Sequence, residues 1–185
     1  MPRVGNRTRI TILQHPRERF HPIGTARLAW LGLENAEILR PRSPVTRSLA
    51  VPHRPAPGAG LLFPRAEARD LADLPVGERP SELIVLDGTW GQARKLYRAN
   101  PWLAELPHYA LSPEAPTRYR IRRAPRASYV STIEAIVGAL RILEPATPGL
   151  EGLLEAFDRM IDEQAAYSHR APRRPVRKLR RQGRL

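Results

Sequence analysis

The run Asp87-Gly88-Thr89-Trp90 gathers several reactive group types within four residues. It offers a carboxylate that can take up a proton, a glycine that lets a ligand approach the backbone, a hydroxyl and an amphipathic indole ring. It follows the continuously apolar residues 83–86 and precedes a helical pattern. The alternative is structural: Asp87 caps the next helix through its unpaired N–H groups, and Trp90 belongs to the core.

A second candidate lies at Ser131, Thr132 and Glu134. The S-x-x-E spacing predicts a capping box, in which the serine and glutamate side chains satisfy backbone N–H groups at a helix start. Such boxes are common, and composition alone favours this structural role. A helix start also presents unpaired N–H donors to a carboxylate or phosphate, so the two roles are compatible.

Two basic stretches indicate a polyanionic partner. Residues 118–126 (RYRIRRAPR) contain five arginines, and Tyr119 lies among them. Arginine pairs bidentately with phosphate and tyrosine stacks on bases, but a solvated loop or internal ion pairs would show the same composition. Residues 169–185 contain eight basic residues and no acid. They lack apolar periodicity, which predicts a tail that is disordered when free and attracts polyanions or only aids solubility.

Composition excludes several classes of protein. The chain has 185 residues, a formal charge of +13 and no cysteine. Disulfides, iron–sulfur clusters, cysteine zinc sites and thiol nucleophiles are therefore excluded, and a cytoplasmic location is the expectation. The histidines lack metal-binding spacing, which predicts no metal, and no glycine-rich phosphate loop occurs. No apolar run is long enough to span a membrane.

Apolar patterns place these residues on an α/β fold. Strands are predicted at residues 9–13, 37–39, 60–63, 83–86 and 108–111, with a weaker one at 119–121. Helices are predicted at residues 25–31 (capped by Thr25), 91–98, 131–143 and 150–167, with one or two helical turns over 66–74. The alternation predicts one domain over residues 8–168, with a mostly parallel sheet flanked by helices. Because residues 83–86 are apolar throughout, they should form a central strand, at whose carboxyl end ligands bind.

Four sequence blocks resemble the DTW-domain family, which is named for its D-x-T-W motif. They are TRITILQHPRERFHPIGTARLAWLGLENAEIL, LIVLDGTWGQARKLYRANPWLAELP, SPEAPTRYRIRRAP and STIEAIVGALRILEP, and they occur in the family's order. The family is similar to bacterial tRNA-uridine aminocarboxypropyltransferases, which move the 3-amino-3-carboxypropyl group of S-adenosylmethionine to N3 of a tRNA uridine. Its fold is related to the SPOUT class, so the resemblance implies a SPOUT-like domain with a C-terminal trefoil knot and allows a homodimer.

The resemblance also assigns roles to individual positions. Matched motifs place Asp87, Thr89 and Trp90 as catalytic residues, and Leu86, Gly88, Ser131, Thr132 and Glu134 as residues binding S-adenosylmethionine, the co-substrate. They place Arg118, Tyr119, Arg122, Arg123 and His15 on the RNA. One departure is plain, because many bacterial members carry an N-terminal cysteine cluster and this chain has no cysteine.

Two other functions remain open at this point. A SPOUT-type RNA methyltransferase would use the same co-substrate but transfer the methyl group. A non-catalytic RNA-binding module would not bind S-adenosylmethionine at all. The presence of Asp87, Thr89, Trp90 and Glu134 together argues against the second alternative.

Overall fold

The structure is a computed structural model that describes residues 3–21, 23–41, 48–112, 117–118 and 130–170. The strands are β1 (Arg9–Gln14), β2 (Ala36–Leu39), β3 (Ala59–Leu62), β4 (Arg69–Asp70), β5 (Glu82–Asp87) and β6 (His108–Ala110). The helices are α1 (Thr25–Gly32), α2 (Trp90–Ala99), α3 (Thr132–Leu143) and α4 (Leu150–Arg170), with short 3-10 helices at Pro16–Glu18, Leu71–Asp73, Val76–Glu78 and Pro101–Glu105. None of the helices in these ranges is long and apolar enough to cross a membrane.

The six strands form one sheet in the order β2-β1-β5-β3-β6-β4, and every pairing between them is parallel. The predicted α/β class is confirmed, and the sheet with its flanking helices is consistent with a SPOUT-like fold. The predicted knot stays a prediction. Because all strands run the same way, their carboxyl ends meet at one edge of the sheet.

The sheet is covered on both faces, as the apolar β5 sequence predicts. Leu83 and Val85 belong to a core shared with α1, α3 and α4, whereas Ile84 belongs to a second core shared with α2. Each fully buried aliphatic side chain contributes roughly 1.5–3 kcal/mol. The close packing extends to β3, where a Cβ on Gly60 would overlap the ring of Tyr109.

Two predicted features of local structure differ in the structure. Residues 66–74 are helical only at the 3-10 turn Leu71–Asp73, because Arg69 and Asp70 pair with β6 and Asp70 then caps that turn by accepting the N–H of Ala72 at 2.9 Å. Thr25 does not cap α1: Gly24 is the N-cap, and Thr25 is the first helical residue.

The C-terminal helix is longer than predicted, and some predicted features lie outside the described residues. Helix α4 continues to Arg170 rather than ending at residue 167. Residues 171–185 of the predicted tail and the weak strand at 119–121 fall in ranges that the structure does not describe.

Glu144, which follows α3, joins that helix to the start of β1. Its carboxylate accepts the N–H of Thr8 at 2.5 Å, the N–H of Arg7 at 2.9 Å and the hydroxyl of Thr147 at 2.8 Å. Glu144 is only 2% exposed. Burial raises its pKa, but the hydrogen bonds from Arg7, Thr8 and Thr147 outweigh burial, so the pKa lies below its usual value of 4.5.

We expect Glu144→Gln to lower the free energy of unfolding by about 1–3 kcal/mol near neutral pH, because an amide N–H then faces a donor. Since folding lowers the pKa of Glu144, its stabilisation is present above the unfolded-state pKa and is lost as pH falls through the folded-state pKa. Urea unfolding measured from about pH 7 down to about pH 3 should show the difference in unfolding free energy between the wild type and Glu144→Gln becoming smaller. Glu105→Gln, at an exposed position, is the control and should change stability by less than about 0.5 kcal/mol. A difference that stays constant on acidification would contradict the role of the ionised carboxylate.

Candidate active site at the carboxyl ends of β1 and β5

After the neighbouring strands β1 and β5, the chain continues toward opposite edges of the sheet. From β1 the chain passes through α1 on one face of the sheet to β2, and from β5 it passes through α2 on the other face to β6. This arrangement opens a crevice between the carboxyl ends of β1 and β5, which is where ligands bind in open parallel sheets. The last residues of the two strands, Gln14 and Asp87, are register partners at this point.

Asp87 is held by side chains from two other elements. Its Oδ1 accepts the hydroxyl of Thr132 at 2.6 Å, and its Oδ2 accepts the side-chain amide of Gln14 at 2.9 Å. The residue is 7% exposed. Because one donor comes from α3 and the other from β1, the carboxylate is fixed in one orientation at the junction of β1, β5 and α3.

Arg40 sets the orientation of the Gln14 amide. The Nε–H of Arg40, directly after β2, donates to Gln14 Oε1 at 2.7 Å. Arginine has no acceptor, so the Gln14 oxygen must face Arg40 and its NH2 group must face Asp87. Burial lowers the pKa of Arg40, the nearby Arg19 and Arg27 lower it further, and Asp87 raises it.

Gln14 and Arg40 are site residues that the sequence analysis missed. The available signal was weak: each is a polar residue at or just beyond the end of a strand, and nothing in the sequence shows that the two strands are neighbours of Asp87.

Gly88 and Thr89 form the turn from β5 into α2. Gly88 has a φ of 155°, and a Cβ there would lie 2.9 Å from the Cβ of Gln92, so both backbone and space require glycine. Thr89 is the N-cap: its hydroxyl accepts the N–H of Gln92 at 3.3 Å, and the Gln92 side chain accepts the N–H of Thr89 at 2.5 Å. The structural alternative for Asp87 is therefore wrong, because Thr89 caps this helix and Asp87 bonds elsewhere.

A cavity of about 220 Å³ lies beside Asp87, between β5 and the starts of α2 and α3. Its lining includes Leu62, Phe63, Leu86, Gly88, Trp90 and Thr132. Trp90 lies 6.3 Å from Phe63 between ring centroids, at an angle of 36°. The predicted site residues Leu86, Gly88, Trp90 and Thr132 thus meet at one apolar cavity with a carboxylate at its side, which is the usual character of a small-molecule site.

A comparison with known protein families decides what this arrangement belongs to. A family model described as the DTW domain matches residues 1–165. The chain belongs to the DTW-domain family. The sequence analysis matched the motif of the family's name to Asp87, Thr89 and Trp90, and the structure shows these residues at the β5–α2 turn.

Curated relatives in this family carry a common name. A Drosophila melanogaster protein named tRNA-uridine aminocarboxypropyltransferase 2 is 32% identical over 142 residues, which is 74% of this chain and 57% of that protein. Proteins of the same name from Macaca fascicularis and Mus musculus are 32% and 33% identical over 114 residues, 60% of this chain and 38% of each relative. The chain therefore spans about half the length of these relatives or less. No solved structure matches it.

Ser131 and Glu134 form the predicted capping box at the start of α3 in this DTW domain. Ser131 Oγ accepts the N–H of Glu134 at 3.5 Å, and Glu134 accepts the N–H of Ser131 at 2.7 Å. The same carboxylate also accepts the hydroxyl of Thr117 at 2.7 Å and the N–H of Arg118 at 2.5 Å. Both residues build the helix start, and Thr132 between them is the one that reaches the cavity.

Of the predicted RNA-binding residues in this DTW domain, the structure describes Arg118 and His15. Arg118 pairs with Asp158 at 2.9 Å and with Glu151 at 3.1 Å, both on α4. Its side chain is still 41% exposed. Tyr119, Arg122 and Arg123 lie outside the described residues, so their role stays a prediction.

His15 lies directly beside Asp87 but is buried. The backbone N–H of His15 donates to the backbone carbonyl of Asp87 at 2.9 Å. The ring Nδ1 of His15 accepts the backbone N–H of Arg17 at 3.2 Å. Burial lowers the pKa of His15, and the neighbouring Arg17 lowers it further, which favours the neutral ring with its proton on Nε2. His15 is only 7% exposed. Its hydrogen bonds hold the loop after β1, and little of its ring is accessible to RNA.

One group of metal-ligand types lies away from this site. Atoms of Glu37, His53 and Glu82 fall within 4.8 Å of one another. Their oxygens already accept other donors: Glu82 accepts Thr11 at 2.6 Å, and Glu37 accepts Arg9 at 2.8 Å. The absence of a metal remains a prediction.

The contacts around Asp87 predict a strong coupling between two substitutions. Gln14→Glu places two buried carboxylates face to face and should lower the free energy of unfolding by about 1–3 kcal/mol. Adding Asp87→Asn should recover most of this loss, because the Asn amide can donate to the carboxylate introduced on β1 while its oxygen accepts from Thr132. Urea unfolding of the wild type, both single variants and the double variant measures the coupling. If the losses of unfolding free energy in the two single variants simply add up in the double variant, Gln14 and Asp87 do not interact.

Proposed function

We propose that this chain transfers the 3-amino-3-carboxypropyl group of S-adenosylmethionine to N3 of a uridine in tRNA and releases methylthioadenosine. The observation that carries the proposal is the oriented Asp87 carboxylate at the end of β5, beside the cavity between β5 and the starts of α2 and α3. Membership of the DTW-domain family and the names of the relatives support it.

The residues around the cavity suit S-adenosylmethionine, whose sulfonium activates the adjacent carbons for displacement. Trp90 and Phe63 offer flat apolar faces to an adenine ring, and Leu86 adds apolar surface. Thr132 opens α3; Ser131 caps the N–H of Glu134, and the N–H groups of the two residues before Glu134 can bind the amino acid carboxylate. These residues have to select one of three carbons on sulfur, and orientation of this kind can contribute roughly 7–11 kcal/mol to the rate.

In this proposal Asp87 is the general base. Uridine N3 attacks the γ-carbon of the methionine chain: the N3–C bond forms, the C–S bond breaks, and the sulfur leaves as neutral methylthioadenosine. The N3 proton passes to Asp87, directly or through water. A positioned base of this kind contributes about 10²–10⁴-fold. Thr132 and Gln14 hold the carboxylate for this step.

The remaining assignments in this proposal come from the sequence. Thr89 serves catalysis by fixing the turn that follows Asp87, and Gly88 lets the co-substrate approach that turn. Arg118 and the arginines and tyrosine of 119–123 remain predicted contacts to tRNA. A cytoplasmic location is likewise a prediction of the sequence analysis, and the resemblance allows a homodimer.

Two labelled forms of S-adenosylmethionine test the reaction. With unmodified tRNA, we expect carbon label from the carboxyl position to enter RNA and label from the methyl position to stay out. Methyl label alone would make the protein a methyltransferase. If neither label enters although tRNA binds, the chain is an RNA-binding module and the proposal fails.

Asp87→Asn tests the base. We expect kcat to fall by about 10²–10⁴-fold, with the fold intact because the Asn amide can still bond Thr132 and Gln14. The double variant Gln14→Glu/Asp87→Asn keeps a carboxylate one strand away and should be equally inactive. A thermal shift with S-adenosylmethionine confirms that each variant still binds it, and Asp73→Asn, an exposed carboxylate near the sheet edge, is the matched control. Near wild-type turnover by Asp87→Asn would exclude the base role.

A further inference from the structure

Four arginines lie around the end of β1, on the side of Asp87 away from the cavity. We call Arg17, Arg19, Arg27 and Arg40 the arginine rim, and each is exposed. Arg17 and Arg19 follow β1 directly, and Arg40 follows β2. Arg27 lies in the first turn of α1, which starts at the same edge because it returns from the carboxyl end of β1 to the amino end of β2.

Side-chain contacts and electrostatics place these charges close to the candidate base. Arg40 contacts Asp87 through Gln14, with 2.7 Å and 2.9 Å for the two hydrogen bonds. Burial is the largest cause that lowers the pKa of Arg40, and the nearby charges of Arg19 and Arg27 lower it further. Burial also lowers the pKa of His15, and the charge of Arg17 lowers it further. The rim therefore surrounds the β1 side of the site with concentrated positive charge.

The rim arginines differ from many other arginines of the chain in their partners. Arg9, Arg65, Arg69, Arg118 and Arg141 each form an ion pair with a carboxylate of the protein. Among the ranges that the structure describes, Arg17, Arg19 and Arg27 form none. Glu18, half-buried in the same loop, is a neighbouring acid, so the rim keeps a clear excess of positive charge for an anion outside the protein.

Phe20 adds an aromatic surface to the rim. Its side chain is 82% exposed, and the guanidinium of Arg19 lies 5.2 Å from its ring centroid. Exposed aromatic rings beside arginines are the platforms on which unstacked bases of single-stranded nucleic acid bind. Packing against the residues that the structure describes does not explain so exposed a ring.

We propose that the arginine rim and Phe20 bind the single-stranded RNA around the target nucleotide, with phosphates on the arginines and a base on the Phe20 ring. This inference rests on the proposed function and adds a direction of entry. RNA reaches Asp87 from the β1–β2 side, whereas S-adenosylmethionine occupies the cavity lined by β3, β5, α2 and α3. The uridine nucleophile and the sulfur leaving group then lie on opposite sides of the reacting carbon, as a displacement requires.

The full chain with two rim variants tests this surface. For Arg19→Glu/Arg27→Glu we expect tRNA affinity to fall by at least about tenfold and the slope of log K against log salt to decrease by about 1 to 2. For Phe20→Ala we expect an affinity loss of about tenfold with an unchanged salt slope. Arg19→Gln/Arg27→Gln is the milder charge variant, in case reversal impairs folding, and should show a smaller loss in the same direction.

Arg54→Glu is the matched control. Arg54 is exposed two residues before Ala56, whose N–H donates to Glu82 at the amino end of β5, so it lies at the opposite edge of the sheet from Asp87. It should change tRNA affinity only by the general effect of net charge, about two- to threefold. The melting shift with S-adenosylmethionine should be unchanged in all variants, because none of the substituted residues lines the cavity.

The outcomes separate this surface from the proposed reaction. Rim-dependent tRNA binding without any group transfer would support the surface and overturn the reaction. Transfer with an unchanged KM for tRNA in the rim variants would overturn the surface and leave the reaction standing. Unchanged tRNA binding together with a changed oligomeric state would show that Phe20 belongs to a protein interface, which also overturns the proposal.

Discussion

The candidate site depends on a line of hydrogen bonds that runs from Arg40 through Gln14 to Asp87, with Thr132 on the far side. Each member comes from a different element: the end of β2, the end of β1, the end of β5 and the start of α3. None of the four positions is local to another in the chain. The site therefore exists only when the parallel sheet has formed in register and α3 has docked on it.

The rest of the fold keeps β1, β5 and α3 in the positions that these hydrogen bonds need. β5 pairs with β1 over its full length and with β3 on its other side, and both faces of these strands are covered by apolar side chains. Glu144 joins the end of α3 to the backbone just before β1. The strand that carries Gln14 and the helix that carries Thr132 are thus tied together at both ends, which keeps the two donors at fixed distances from Asp87.

Features that depend on local patterns were predicted from the sequence, and features that depend on tertiary contacts were not. The apolar run of β5 and the Ser131–Glu134 capping box follow from neighbouring residues alone, and the structure confirms both. The Asp87 cap was wrong because Thr89, two residues later, competes for the same helix start. Gln14 and Arg40 were not predicted as site residues, because the sequence does not show the order of the strands in the sheet. The segment at 66–74 has helical composition, but pairing of Arg69 and Asp70 with β6 limits its helix to the 3-10 turn at Leu71–Asp73.

The direction of the hydrogen bonds around Asp87 has a consequence for proton traffic. Arg40 donates to Gln14, and Gln14 donates to Asp87, so every hydrogen along this line points inward. A guanidinium and an amide hold their protons tightly and do not hand them on at neutral pH. If Asp87 takes a proton from a substrate, that proton has no exit along the hydrogen bonds through Gln14 and Arg40. It has to leave through the open side of the crevice, so that resetting the carboxylate for another turnover is linked to the departure of product and the return of water.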